Sequence, residues 1–410
     1  MSNKPLSTDA YKGVRDFYPK DAAIQQYIFD TWRKTAESFG FQQYDASILE
    51  PSELYKAKGS QNEEMVNEQT YTFIDRGERE VTLRPEMTPT VARMVAAKAR
   101  ELAFPVRWYS IPNLYRYERP QKGRLREHWQ LNCDMFGTSD FTSDIEIIAL
   151  AYQTLIDFGA KPEHFEIRVN DRVLMTRLYK ALGLTDEQIP LVTRLNDRKN
   201  KIDAHDYRSQ MKEIFEGDGL LVEQVIMMLD NTDEQTDVVA GLAELGITNV
   251  VFDKYLARGF DYYTGTIFEI FDVSEENNRA LLGGGRYDNL TGMFGGDPIS
   301  GIGFGMGDVT MRDFLETHNL LPEHILIGPE VVVIPTDAEH NLVAQKVAAK
   351  LRHEFRSVST NIGTKKFNKK IAEASDNGAK YIVIIGEDET ESGTAKLKNL
   401  ESGAEEEVTI

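Results

Sequence analysis

Residues 258–269 read RGFDYYTGTIFE and are the most informative stretch of the chain. Their positions alternate as in a β-strand, yet polar groups occupy places where a core strand would carry Val or Leu. Tyr263 and Thr264 supply hydroxyls. Arg258 and Asp261 add opposite charges, and two glycines leave room for a ligand. The pattern indicates a binding strand; the alternative is a half-buried hairpin strand with cross-strand Tyr–Thr pairs.

Size and composition limit the class of protein. A chain of 410 residues with 41% apolar residues predicts two or three globular domains. The sequence has no run of 18 apolar residues, so no membrane span is expected. The first residues lack the apolar segment of a secretion signal. Cys133 is the only cysteine, which excludes a disulfide scaffold and a cysteine-rich zinc site. We therefore expect a cytoplasmic protein.

The net charge of −19 argues against a protein that coats nucleic acid nonspecifically. It leaves open a specific RNA partner that uses local basic patches. Two such patches stand out, one containing Arg116, Arg119, Lys122, Arg124 and Arg126, the other Lys365, Lys366, Lys369 and Lys370. The alternative for each is an exposed charged face without function.

The order of predicted elements indicates a sheet with flanking helices. In the first part we expect a helix from about Asp21 to Phe39, a strand from Gln42 to Leu49, and a helix near Pro89 with Thr88 as its N-cap. Three further strands are predicted to form an antiparallel hairpin with a basic tip: Val106–Ser110, Asn113–Tyr117 and Glu127–Phe136.

The second part begins with a helical insertion. The sheet is predicted to resume at Val250 and run through Phe271, followed by a close backbone approach at Gly283–Gly285. Beyond residue 329, strands and helices alternate and predict a small α/β domain: Val331–Pro335, Asp337–Phe355, Ser357–Ile362, Lys365–Asp376 and Tyr381–Ile385. We predict an α+β fold with four segments: 1–170, 171–248, 249–320 and 328–410.

Residues 116–128 read RYERPQKGRLREH and carry arginines on both arms of the predicted hairpin. Arginine makes bidentate contacts to phosphoryl oxygens and keeps its charge, which suits a triphosphate ligand. The alternative is an exposed hairpin whose arginines pair with Glu118 and Glu127, and such surface pairs stabilise little.

This hairpin resembles motif 2 of the class II aminoacyl-tRNA synthetases in its histidyl version. Residues 258–269 resemble a signature segment of the histidyl-tRNA synthetases, and residues 82–88 extend the likeness. The similarity runs through the catalytic core and, more weakly, the last 80 residues. It implies an antiparallel sheet flanked by helices, a helical insertion and a C-terminal α/β anticodon-binding domain.

The resemblance also implies the two-step reaction of a histidine–tRNA ligase. Histidine attacks the α-phosphate of ATP, and the 3′ end of tRNA(His) then attacks the histidyl-adenylate. Arg116 and Arg258 match the family's catalytic arginines on opposite sides of the α-phosphate. Glu118 and Arg124 would complete the ATP site. Mg²⁺ would bridge the outer phosphates, with no metal site made by the protein alone.

The implied histidine pocket follows the donors and acceptors of the ligand. Asp134 accepts the imidazole N–H, Tyr262 and Tyr263 serve the other face of the ring, and Tyr287 closes the pocket. The ammonium group matches the acceptors Glu86, Thr88 and Gln130. The alternative for Asp134 is a structural ion pair with one of the hairpin arginines.

Residues 301–307 read GIGFGMG, and their glycine spacing is a weak signal for a dinucleotide site. They resemble motif 3, the strand-to-helix segment beneath ATP. The family usually carries an arginine three residues after Gly307, where this chain has Thr310. Arg312 is a candidate replacement only if the helix register differs.

The remaining resemblances concern partners. Residues 41–51 resemble motif 1, which implies a homodimer. Arg119 and Gln121 at the hairpin tip would contact the acceptor end of tRNA, and three lysines of the last domain would contact its phosphates: Lys365, Lys366 and Lys369. The family often continues into a last helix, which implies a shortened end here.

Two rival functions remain. A regulatory paralogue, such as the synthetase-like subunit of ATP phosphoribosyltransferase, would bind histidine without acylating tRNA. Thr310 favours it slightly, whereas the arginine-rich hairpin and the anticodon-like domain disfavour it. A nicotinamide-dependent oxidoreductase is disfavoured by the glycine spacing.

Overall fold

The computed structural model describes residues 6–56, 69–199, 202–231, 236–257, 262–277, 279–322 and 328–410. The chain forms two compact units. The first comprises Met1–Asp16 and Tyr27–Leu321, and the second comprises Phe17–Gln26 and Pro322–Ile410. No helix in these ranges is both long and apolar enough to cross a membrane.

Both units contain helices and strands. The α-helices of the described residues are α1 Pro19–Ser38, α2 Glu53–Lys56, α3 Thr88–Lys98, α4 Thr142–Asp157, α5 Arg172–Ala181, α6 Gln188–Asp197, α7 Ala204–Ile214, α8 Gly219–Asp230, α9 Asp237–Glu244, α10 Asp308–Thr317, α11 Asn341–Leu351, α12 Phe367–Asp376 and α13 Glu387–Ser392. The strands are β1 Gln42–Gln43, β2 Leu49–Pro51, β3 Tyr71–Ile74, β4 Glu80–Leu83, β5 Val106–Ser110, β6 Asn113–Tyr115, β7 Glu127–Phe136, β8 Phe165–Asp171, β9 Val250–Phe252, β10 Thr266–Asp272, β11 Ala280–Arg286, β12 Gly301–Gly307, β13 Val331–Pro335, β14 Val358–Thr360, β15 Tyr381–Ile385, β16 Thr394–Asn399 and β17 Glu405–Thr409.

A nine-stranded sheet organises the first unit, in the order β1-β5-β7-β12-β11-β10-β8-β9 with β6 paired to β7. The strands from β5 to β8 pair antiparallel, whereas β1 and β9 add parallel pairs at the two edges. The predicted α+β fold is confirmed, and its antiparallel sheet carries parallel strands at its edges.

The predicted strand from Gln42 to Leu49 is wrong as a single element. The chain instead forms β1 in the large sheet and β2 in a separate three-stranded sheet. Between them, the Asp45 carboxylate accepts from the backbone N–H of Ala46, and the Ser47 hydroxyl accepts from that of Leu49. These local bonds compete with a continuous ladder and turn the chain.

The binding stretch at 258–269 is only partly a strand. Residues 258–261 lie outside the described residues, and β10 begins at Thr266. Before it, Thr264 donates its N–H to the Arg286 carbonyl at 2.7 Å and its hydroxyl to Asp288 at 2.8 Å. The side chain therefore bends the backbone away from regular pairing, and the predicted run from Val250 to Phe271 is interrupted.

The basic hairpin is confirmed: β6 and β7 pair antiparallel, and Gln121 bridges Arg124 at the turn. Strand β6 ends at Tyr115, two residues before the predicted end. Thr88 is the first residue of α3 and does not cap it, since Met87 occupies the N-cap position without a side-chain bond.

Helices α5 to α8 share an apolar core of their own. Its fully buried members include Val192, Met211 and Val225. Helix α9, by contrast, contacts α4 and β9 of the sheet-bearing part. The helical character predicted between residues 171 and 248 is therefore present, although its last helix packs differently from the others.

The second unit contains a five-stranded sheet in the order β14-β13-β15-β16-β17. Its first three strands in this order pair parallel, and β16 and β17 continue antiparallel. Helices α11 and α12 are shorter than predicted, and Lys365 and Lys366 precede α12. The alternating pattern of an α/β domain is confirmed.

Candidate active site

Strand β7 carries the polar groups of the site on one face. Because side chains alternate across a strand, Gln130, Asn132 and Asp134 share a face, while Leu131 and Cys133 point to the opposite one. Leu131 and Cys133 are fully buried, so the apolar face fixes the strand. The polar face is then directed at the space over β12.

Glycines on the neighbouring strands provide that space. A β-carbon at Gly305 would lie 2.7 Å from Cδ of Gln130, and one at Gly285 would lie 2.8 Å from Cδ1 of Tyr263. Gly303 pairs with Asp134 across β12 and β7, and its added β-carbon would strike the Asp134 carboxylate. The glycines therefore set the positions of three predicted site residues.

Asp134 is a buried carboxylate at the centre of this face. Its Oδ1 accepts a very short hydrogen bond from the Tyr287 hydroxyl. Its Oδ2 has no hydrogen-bond partner among the described residues. Burial raises the pKa of Asp134 to about 7, and the bond from Tyr287 opposes this rise. The described residues show no ion pair between Asp134 and an arginine, which removes the structural alternative within that range.

The three predicted tyrosines form a connected aromatic wall. The ring of Tyr262 lies 4.8 Å from that of Tyr263 and 5.9 Å, edge-on, from that of Tyr287. Tyr263 and Tyr287 also pack in a core cluster with Phe136. Their rings therefore stabilise the fold, while the Tyr287 hydroxyl is directed at Asp134.

Glu86 and Thr88 approach from the start of α3. The Tyr262 hydroxyl donates to Oε2 of Glu86 at 3.1 Å, and Glu86 is buried. Thr88 is half-buried two residues further on. The structure thus brings Glu86 together with the tyrosine wall.

A cavity of about 780 Å³ contains three of the four predicted ATP residues, all of them in the hairpin. Arg116, Glu118, Arg124 and Gln130 line it. The Arg116 Nε donates to the Pro85 carbonyl at 2.9 Å, which orients the guanidinium. Arg124 pairs with Glu118 at 2.5 Å. Gln130 therefore connects the arginine-lined cavity with the strand face that carries Asp134.

Among the other residues that line this cavity, His128, Glu269 and Arg279 were missed by the sequence analysis. Burial, with Arg116, Arg15 and Arg124 nearby, lowers the pKa of His128 to about 3. Its imidazole is therefore neutral at pH 7. Only the sheet register brings Glu269 and Arg279 to the hairpin, so no sequence pattern identifies them.

The position of Thr310 is now defined. Its hydroxyl donates to the carbonyls of Leu281 and Gly307, both at 3.2 Å, and it lines the cavity. Arg312 pairs with Glu316 one turn along α10 at 2.9 Å and does not line the cavity. The helix register that would make Arg312 the replacement is therefore not observed.

A buried ion pair between Arg286 and Asp144 lies next to the tyrosine wall in sequence, since Tyr287 follows Arg286. Nη2 of Arg286 contacts Oδ1 of Asp144 at 2.6 Å, and Nη1 donates to the Ser300 hydroxyl at 2.6 Å. Both partners of the pair are buried. Removing one would leave the other charge uncompensated, so the network holds the end of β11 next to Tyr287.

One predicted site residue, Arg258, is outside the described residues. The predicted tRNA contacts lie at the hairpin tip and in the second unit. Arg119 and Gln121 are exposed at the hairpin tip. In the second unit three lysines are exposed, Lys365, Lys366 and Lys369. Lys370, assigned to the same patch, is buried and donates to the Pro335 carbonyl at 3.3 Å, so its inclusion was wrong.

An antiparallel sheet with an arginine hairpin, a glycine-rich strand leading into a helix and a separate α/β domain defines the architecture of a class II aminoacyl-tRNA synthetase. A family model described as histidyl-tRNA synthetase matches residues 13–308, and one described as anticodon binding domain matches residues 330–410. The chain belongs to the histidyl-tRNA synthetase family, which confirms the family predicted from its motifs.

The similar proteins agree. A histidine–tRNA ligase of Leptospira biflexa is 41% identical over 420 residues, covering 98% of this chain and 95% of the relative. The crystal structure of histidyl-tRNA synthetase from Nostoc sp. PCC 7120 matches with a TM-score of 0.80 at 24% identity, over 99% and 97% of the two chains. A structure titled ATP phosphoribosyltransferase regulatory subunit/histidyl-tRNA synthetase, from Bacillus halodurans C, matches with a TM-score of 0.71 at 23% identity, over 94% and 100%. The last two show the fold alone.

Proposed function

We propose that the chain is an ATP-dependent histidine–tRNA ligase that forms histidyl-adenylate and transfers histidine to the 3′ end of tRNA(His). The observation that carries this proposal is the buried Asp134, whose Oδ2 lacks a partner among the described residues. An imidazole N–H would satisfy that oxygen. An amino acid without such a donor would leave it unpaired, at a cost of about 1–3 kcal/mol.

The ammonium group of histidine requires acceptors. Glu86 and Gln130 supply a carboxylate and an amide oxygen, and Thr88 supplies a hydroxyl. Tyr262, which bonds Glu86, and Tyr263 would enclose the imidazole. With both ends of the ligand held, the α-carboxylate of histidine is directed towards the arginine-lined cavity.

Adenylation is a displacement at the α-phosphorus. A carboxylate oxygen of histidine attacks, and pyrophosphate leaves with the electron pair of the broken P–O bond. Arg116 is oriented by its bond to Pro85 and keeps its terminal nitrogens for the α-phosphate oxygens. Arg258 would act on the opposite side of the phosphate. Glu118 and Arg124 would hold the rest of ATP, and the catalysis consists of positioning and charge stabilisation.

The cavity suits Mg²⁺ as a companion of ATP. Glu269 lines the wall, and carboxylate oxygens are the ligands that this ion prefers. Glu269, together with phosphate oxygens, would hold the ion, which would neutralise charge on the outer phosphates.

The same proposal includes the partners and the domain limits. We expect a cytoplasmic protein that forms a homodimer. The small three-stranded sheet exposes apolar side chains at Leu49, Phe73 and Ile74, which a second copy would cover. Equilibrium sedimentation would measure the oligomeric state. We propose the domain limits 1–170, 171–248, 249–320 and 328–410; the separate core of α5–α8 supports the second segment as far as residue 230. Arg119 and Gln121 would contact the acceptor end of tRNA, and the exposed lysines of the second unit its phosphates.

The decisive experiment is ATP–pyrophosphate exchange with each of the 20 amino acids. We expect exchange with histidine alone, followed by charging of tRNA(His) when tRNA is added. Exchange with another amino acid would contradict the assignment of Asp134. Histidine binding by calorimetry without any exchange would instead identify a regulatory paralogue.

A further inference from the structure

Arg279 lies immediately before β11, on the wall of the cavity that contains the arginine hairpin. A β-carbon added at Gly123 in the hairpin turn would lie 2.9 Å from Cδ of Arg279 and 3.5 Å from Cγ2 of Thr310. The two side chains therefore meet over the same turn. Arg279 lies immediately before β11, and Thr310 lies in the first turn of α10.

The guanidinium of Arg279 lies near other charged groups. Among the described residues it makes no hydrogen bond or ion pair. Burial lowers the pKa of Arg279, the nearby Arg124 lowers it further, and Glu118 opposes the change. Arg124 already pairs with Glu118. Two neighbouring guanidiniums with one carboxylate between them leave an excess of positive charge facing the cavity.

A polyanion would relieve this excess. Outer phosphates of a nucleotide offer several oxygens, and arginine binds them in a bidentate fashion. Thr310 carries no charge, and its hydroxyl bonds the carbonyls of Leu281 and Gly307. Arg312 pairs with Glu316 and does not line the cavity. Of Arg279 and Arg312, Arg279 is the one that lines the cavity next to Thr310.

We propose that Arg279 is a substrate-binding residue that holds the outer phosphates of ATP together with Arg124, in place of the arginine that the family pattern has at position 310. The inference rests on the proposed function for the identity of the nucleotide. It adds to the site a residue that lies immediately before β11 and outside the hairpin. It also explains why a short residue stands at 310, since an arginine there would compete with Arg279 for the space over Gly123.

The test compares ATP with AMP, which lacks the outer phosphates. Calorimetry on the full chain with Mg²⁺ would measure both affinities in the wild type and in Arg279→Ala. We expect the substitution to weaken ATP about 10- to 100-fold, as for a lost charge-assisted bond, and to leave AMP unchanged. Arg312→Ala is the matched control on the same helix as Thr310, and both of its affinities should equal those of the wild type.

Equal weakening of ATP and AMP, or no change in either, would overturn the proposal. A double variant, Arg279→Ala with Thr310→Arg, supplies a guanidinium from the helix and should recover ATP affinity; failure to recover it would show that the two positions do not serve one site. These binding measurements do not require histidine-dependent exchange. Wild-type protein that prefers ATP over AMP through Arg279 yet shows no exchange would therefore refute the ligase proposal alone.

Discussion

At the scale of single residues, the protonation of Asp134 links stability to substrate choice. The carboxyl group lies in an apolar environment formed by Tyr287, Phe136 and other core side chains. With a folded pKa of about 7, it holds a proton near neutrality when no ligand donates to it. A bound imidazole N–H would favour the ionised form. Under the proposed function, histidine binding and proton release from Asp134 would therefore be coupled.

The pH dependence of stability has a defined sign. The folded pKa of Asp134 is above its unfolded value of about 4, so its contribution is fully present below pH 4 and is lost as pH rises towards 7. Between pH 5.5 and 8 we expect the free energy of unfolding of the wild type to fall by about 2 kcal/mol relative to Asp134→Asn. Urea titrations followed by tryptophan fluorescence would measure this.

Fluorescence is suitable because the chain's three tryptophans, Trp32, Trp108 and Trp129, belong to the first unit, and Trp108 pairs with Asp134 across β5 and β7. Saturating histidine should reduce the pH dependence in the wild type only. Parallel stability curves for the two proteins over this pH range would mean that Asp134 is ionised in the folded state without ligand.

At the scale of elements, strand β12 leaves space for the pocket because its glycines carry no side chains. A β-carbon at Gly303 would meet the Asp134 carboxylate and would lie 2.6 Å from the Cys133 carbonyl. We expect Gly303→Ala to cost about 1–3 kcal/mol of stability, because the backbone of β7 has to move, and to weaken histidine binding. Thermal unfolding and calorimetry would measure both effects.

Gly296→Ala is the matched control, since no atom lies within 4 Å of its added β-carbon. It should leave both the melting temperature and the affinity for histidine near the wild-type values. A Gly303→Ala protein with normal histidine affinity would show that the strand can shift without displacing Asp134.

Elements with strong local patterns were predictable from the sequence. Strands β5 and β7 were identified at their observed limits, because apolar alternation and the glycine turn at Gly123 specify them locally. The run from Gln42 was misread, because side-chain bonds from Asp45 and Ser47 to the backbone interrupt the ladder. Such bonds depend on geometry that residue types alone do not give.

The site was predictable where a motif carried it and not elsewhere. Arg116, Glu118 and Arg124 lie within one hairpin, so their grouping follows from the sequence. Arg279 reaches the same cavity only through the pairing of β11 with β12, in which Leu282 faces Met306. Contacts between strands distant in the chain require a register that no local pattern contains.

At the scale of the whole molecule, the proposed function divides its binding tasks between the two units. Adenylation would use the cavity and β7 of the first unit, whereas the phosphates of tRNA need cations. The chain as a whole is acidic, with a net charge of −19, and repels nucleic acid at long range. Local lysines must therefore supply the attraction, and the second unit has them on its surface.

Reversing two of these charges should separate the steps. Lys366 and Lys369 are exposed, whereas Lys365 is paired with Glu373 at 2.8 Å and is a weaker candidate. We expect the double variant Lys366→Glu/Lys369→Glu to raise the KM for tRNA and to reduce the dependence of tRNA binding on salt by about two phosphate contacts. Pyrophosphate exchange should stay at the wild-type rate, because exchange uses no tRNA.

The control is Lys346→Glu, an exposed change of the same sign on α11 in the same unit. This single variant makes half the charge change of the double variant and leaves the segment around α12 unaltered. It therefore separates a local contact with tRNA from the general effect of added negative charge. If Lys346→Glu weakens tRNA binding half as much as the double variant, the attraction is nonspecific. If only the double variant weakens binding, the surface at Lys366 and Lys369 contacts tRNA phosphates, and the second unit acts in the transfer step alone.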